Sequence, residues 1–175
     1  MTRKSNTFGL AVLVLVGATA SVRAIEPVDQ GYVRSLAAPG KTVLVMEYSD
    51  ATGAVVERKG YASADGFKAV SGTEFRINSD TTVKLYGLEA CDGDMVNQSE
   101  GYTGSCADWA LNGLTTELKN PKVIYCRAFI SEQNAAEQDA SCYLYTYFPG
   151  AMDSVYNLEE QLVSTGFLRL ENDGS

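Results

Sequence analysis

Glu89, Asp92 and Asp94 place three carboxylates within six residues, shortly after Lys84. Oxygen ligands of this kind bind calcium, so the stretch is either a weak metal loop or a solvated acidic loop. The chain has no histidine, which removes the commonest general base, the Ser–His and Cys–His nucleophile pairs and most zinc sites. Any catalysis would fall to carboxylates, lysine, tyrosine or a hard metal such as calcium. A second group, Tyr125, Tyr143, Tyr145 and Tyr147, alternates along two strand-like segments. Such a stripe could stack on bases or sugars, or pack beneath the N-terminal hairpin described below.

The compartment follows from the first residues. Arg3 and Lys4 precede the apolar run Phe8 to Val16, and small residues follow up to Ala24, the layout of a secretory signal peptide. The run is shorter than the roughly 20 residues a membrane-spanning helix needs, and Val22-Arg23-Ala24 offers a cleavage site. Residues 1–24 are therefore expected to be a removed leader, leaving one soluble periplasmic or secreted domain without a membrane span. That leader holds three of the 14 basic residues and none of the 22 acidic ones, so the remainder carries a net charge of −11. A field of this sign slows the approach of a polyanion and disfavours nucleic acid as a partner.

Cys91, Cys106, Cys126 and Cys142 all follow the leader and are never spaced C-x-x-C. In an exported protein an even set of this kind predicts two disulfides, with three connectivities open to it. The strand pattern chooses among them. Residues 122–130 and 140–148 read as paired strands. Setting Cys126 opposite Cys142 also sets Ile124 opposite Leu144 and Ala128 opposite Ala140, making one face uniformly apolar. This leaves Cys91 with Cys106; each bridge closes a loop of about 15 residues, worth about 3 kcal/mol in the chain-entropy model.

The remaining elements position these groups. Residues 42–48 and 54–61 predict an N-terminal hairpin around a turn at 49–53. Short strands are expected at 75–77 and 82–88, then a polar loop from Asp92 to Gly104. Ala110, Leu111, Leu114 and Leu118 recur at helical spacing over 106–119, with Pro121 just beyond, and Trp109 is read as core. Asn157 and Glu160 have the form of a capping box opening a last helix, which Gly166 closes.

In that order the residues resemble a known family. Ser71-Gly72-Thr73-Glu74-Phe75-Arg76-Ile77, followed by Val83-Lys84-Leu85-Tyr86-Gly87-Leu88-Glu89-Ala90-Cys91-Asp92, is similar to the paired motif DGDTxxI and IRLxGIDAPE of staphylococcal-nuclease-like proteins. Residues 118–126, the segment Asp139-Ala140-Ser141-Cys142-Tyr143 and residues 157–167 match later parts of the same pattern. The resemblance covers about residues 61–170. It implies an α+β, mainly β fold, a five-stranded OB barrel with two or three helices, spanning residues 62–175. The N-terminal extension with its hairpin, residues 25–61, lies outside the match.

The resemblance also implies where chemistry would sit. Family enzymes bind calcium through two aspartates, activate water near a glutamate and clamp phosphate with two arginines. Here the first aspartate falls on Thr73, one arginine on Lys84, the second aspartate on Glu89 and the glutamate on Asp92. Lysine keeps the charge but not the planar two-pronged donor. The second arginine falls on Glu137, which reverses the charge, and no Lys or Arg occurs between Ala128 and Leu168. Losing a phosphate-clamping arginine costs about 10³-fold or more, so no catalytic set is expected to be complete. Three functions follow as expectations: a non-catalytic binding or accessory module of the cell envelope with a protein or glycan partner; a weak calcium-dependent nuclease; and an accessory factor for exopolysaccharide biosynthesis. No cofactor is required by the first.

Overall fold

A computed structural model describes residues 28–90, 93–97, 102–150 and 153–171. The proposed leader, Cys91 and Asp92 lie outside these residues. The fold is α+β and mainly β.

The register expected from the cysteines is present. Strand β9 (Val123–Phe129) pairs antiparallel with β10 (Glu137–Thr146), with Cys142 opposite Cys126 and Leu144 opposite Ile124. Cys126 and Cys142 form a disulfide across a Cα–Cα distance of 4.0 Å. Cys106 is also disulfide-bonded, and its expected partner Cys91 lies outside the described residues. Such bonds are consistent with an oxidising compartment.

The N-terminal hairpin is present as β1 (Thr42–Ser49) and β2 (Val55–Ser63). Its turn is held by Asp50, whose Oδ1 accepts the Thr52 and Ala54 N–H groups at 2.8 and 3.1 Å. Gly53 supplies the positive φ of 87°. The hairpin does not lie over the tyrosine stripe. Instead β1 pairs in parallel with β9, Leu44 beside Ile124 and Met46 beside Cys126, so the hairpin extends the sheet and residue 61 falls within β2. The reason is visible in β1: Leu44, Met46 and Tyr48 are buried on one face, and Val45 and Glu47 on the other. A strand apolar on both faces belongs inside a sheet, whereas the polar β2 suits an edge.

Three short strands form the other side of the sheet: β3 (Lys68–Ala69), β4 (Glu74–Arg76) and β5 (Thr82–Leu85). The first half of β10 runs parallel to β5, and its second half takes β11 (Ser154–Asn157) on that side. The order is β2-β1-β9-β10-β5-β4-β3. Among the described residues no pairing joins its ends. The expected strand 82–88 stops early because Gly87 turns the chain with a φ of 69°, after which β6 (Leu88–Glu89) pairs with β12 (Arg169–Leu170). The expected loop at 92–104 contains a second correction, a small hairpin of β7 (Asp94–Asn97) and β8 (Tyr102–Ser105).

Helices cover both faces. The short α1 (Gln30–Ser35), absent from the sequence reading, is capped by Asp29 and packs Val33 against Val45, Val123 and Tyr125. On the other face, α2 (Cys106–Glu117) and α3 (Leu158–Ser164) contribute Ala110, Leu114, Leu158 and Leu162 to the main core. Ser105 caps α2 through the Asp108 N–H, and Asn157 caps α3 through the Glu160 N–H, each filling an otherwise orphaned donor. The Phe167 ring lies against α2 at Gly113, where an added Cβ would stand 2.3 Å from the ring. Gly113→Ala is therefore expected to lower stability by about 1–3 kcal/mol. A urea midpoint equal to that of the wild type would refute this packing.

Candidate functional site

The two sheet rows carrying Thr82, Lys84, Glu137 and Asp139 face away from the core, because the intervening Phe75, Val83 and Gln138 are buried. Strand pairing fixes their neighbours. Lys84 stands beside Glu74 on β4 and Asp139 on β10. In the next row Lys68, Arg76, Thr82 and Glu137 follow one another across four strands. Three cations thus share this face with three carboxylates, with Lys68 and Arg76 adjacent at one end. The formal charges of these six residues sum to zero, and Lys84 in particular is flanked by carboxylates, which weakens its pull on a phosphate.

Thr73 sits in the turn leading into β4, its N–H bonded to Ser71 Oγ at 3.3 Å and its carbonyl accepting the Leu85 N–H at 2.8 Å. Gly72 permits the turn to close on α2, since a Cβ there would stand 2.4 Å from Ala110 Cβ. Glu89 lies on β6 and forms an ion pair with Arg169 of β12 at 3.0 Å. Arg169 lies just past the cation-free stretch that ends at Leu168, on a two-residue strand with no sequence pattern of its own. Asp94 is exposed at the start of β7, and Asp92 lies outside the described residues. Among the described residues no group of three or more metal-ligating side chains converges, and Glu89 is already engaged by a guanidinium.

The tyrosine stripe divides. Tyr125 is only 2% exposed; its hydroxyl donates to Glu47, and Tyr32 of α1 meets its ring edge-on at 5.8 Å. Burial pushes its hydroxyl up to about 12, helped by the Glu47 carboxylate. Tyr143 and Tyr145 are half-buried, with the guanidinium groups of Arg127 and Arg34 each 6.0 Å from their ring centres. Tyr147 lies beyond the end of β10 and is exposed. The stripe is thus mostly covered by α1 and by arginines. Beneath it lies an unforeseen cluster: buried Glu47 meets Arg58 at 2.7 Å and Arg127 at 3.4 Å, from the strands on either side. The only signal for it in the sequence is one carboxylate inside the apolar run of β1.

No family model, curated protein or solved structure matches this chain.

Away from both candidate faces, a cleft of about 300 Å³ opens between the end of α2 and the β10–β11 pair. Glu117, Lys119, Asn120, Thr146, Phe148 and Tyr156 contribute to its walls. The Tyr156 hydroxyl donates to Glu117 Oε2 at 2.8 Å, and its acidity is suppressed first by burial and then by that carboxylate.

Proposed function

We propose that this chain is an exported, non-catalytic binding module of the cell envelope built on a thermonuclease-like scaffold. The β3–β4–β5 meander, the parallel return of β10 onto β5 and the antiparallel β9 are compatible with the OB-type arrangement that the sequence resemblance implies. The β1–β2 hairpin then occupies the outer edge of β9. The observation that carries the functional half is the placement of Lys84 between Glu74 and Asp139, with Glu137 on the same face. A residue standing in for a phosphate clamp is flanked by carboxylates that offset its positive charge, and the ion pair of Glu89 with Arg169 occupies a second position that hydrolysis would use.

The test is a calcium-supplemented digestion of DNA and RNA by the purified, disulfide-intact protein, beside a Thr73→Asp/Glu137→Arg variant. The unmodified protein is expected to release no nucleotide above the blank. Activity confined to the variant would identify a decayed enzyme. Cleavage by the unmodified protein that disappears in Glu89→Gln would overturn the proposal and favour the nuclease.

A further inference from the structure

We infer that the cleft between the end of α2 and the β10–β11 pair binds an uncharged pyranose unit of a glycan, an inference resting on the binding-module reading only in taking recognition, not hydrolysis, as the task. The cleft, at about 300 Å³, lies at the lower end of the size range of small-molecule sites, roughly 300–1,000 Å³. Phe148, a residue 55% exposed, forms part of one wall, and Tyr156, half-buried on β11, contributes a second aromatic side chain. Aromatic faces of this kind receive the C–H face of a sugar ring, while groups at the rim meet its hydroxyls.

The rim groups are of the required type. Asn120 is exposed and offers both a donor and an acceptor. Glu117 is held by the Tyr156 hydroxyl at 2.8 Å, so carboxylate and ring are positioned before a ligand arrives and less ordering is needed on binding. Thr146 is buried and bonds to Ser154 through their hydroxyls at 3.1 Å. Glu117 and Lys119 bear opposite charges two residues apart, so the cleft favours neither an anion nor a cation. A nucleobase could stack on the same rings, but it would arrive with phosphates that a net charge of −8 repels.

The experiment follows amide NMR signals of the disulfide-intact protein during separate titrations with cellotetraose, tetra-N-acetylchitotetraose and oligothymidylate. Saturable shifts are expected at residues 116–120, 146–148 and 156 with at least one saccharide. Phe148→Ala and Asn120→Ala should each weaken binding about tenfold, the scale of one aromatic or polar contact, while Val56→Ala on the edge strand should leave it unchanged. Both cleft side chains are exposed, so an unchanged melting temperature would show that the variants remain folded. The inference fails if neither saccharide gives saturable shifts, if the shifts lie elsewhere, if both cleft variants bind normally, or if only oligothymidylate saturates. Those failures leave the digestion result untouched. Nuclease activity with intact saccharide binding would instead remove only the non-catalytic reading.

Discussion

Replacing Glu159 with glutamine is expected to abolish a pH-dependent loss of stability of about 3 kcal/mol. Glu159 opens α3 and is only 8% exposed. Its Oε1 accepts the Cys142 N–H at 2.8 Å, while Oε2 has no hydrogen-bond partner among the described residues. Burial pushes the carboxyl up from 4.5 to about 7; the backbone N–H groups of Glu159 and Cys142 and the Ser141 hydroxyl oppose the shift, and the Glu160 charge adds to it. Below pH 4.5 both folded and unfolded chains hold the proton, and this contribution to stability is complete. As the pH rises toward 7 the unfolded chain releases the proton first, so stability falls, and it levels off above the folded value. Glutamine keeps an acceptor for Cys142 but cannot ionise. Urea midpoints at about pH 5 and about pH 8 should therefore differ in the wild type, after shared effects are subtracted, and coincide in Glu159→Gln. Equal slopes for the two proteins would show that Glu159 does not titrate in this range.

Glu47→Gln should produce the second large effect, a destabilisation of about 2–3 kcal/mol. The buried carboxylate of Glu47 accepts from Arg58 and Tyr125 and pairs with Arg127. Removing its charge leaves two cations facing one another across β1. Arg58 is 46% exposed, so water offsets part of the loss, and the expected cost is smaller than for a fully buried pair. The same arginine lies over the Tyr32 ring at 5.1 Å, so the amides of α1 should exchange faster as well. A change within about 0.5 kcal/mol, the range of ordinary surface substitutions, would show that the cluster contributes little.

Local chemistry made parts of this fold legible. The Cys126–Cys142 pairing and its flanking register followed from matching apolar residues across two strands, and Asn157 announced α3 through its side-chain oxygen. The parallel contact of β1 with β9 had no local signal, because its partners lie about 80 residues apart and nothing in either strand names the other. A hint was present in β1, where Val43 and Val45 alternate with Leu44 and Met46 and leave no polar face. The six residues of α1 bury only Val33, too little for a helical period to stand out. The candidate positions Thr73, Lys84 and Glu137 were named from a sequence resemblance alone. Arg169 could not be named in this way, since its meeting with Glu89 depends on a two-residue pairing between distant segments. The cleft was equally hidden: Asn120, Phe148 and Tyr156 come from three separate elements, and none belongs to a motif.

The docking of β1 on β9 also dictates an order of events for a chain delivered from its N-terminus. The first hairpin emerges with one long flank of backbone donors and acceptors unmatched, and the matching flank is completed only when residue 129 has arrived. Until then, that flank is an invitation to neighbouring chains. Once Cys126 and Cys142 are joined, β9 and β10 form a prealigned template, and settling the hairpin against it no longer requires two loose strands to find one another. Oxidation of this bond would thus fix the edge against which the open flank of the hairpin is then covered.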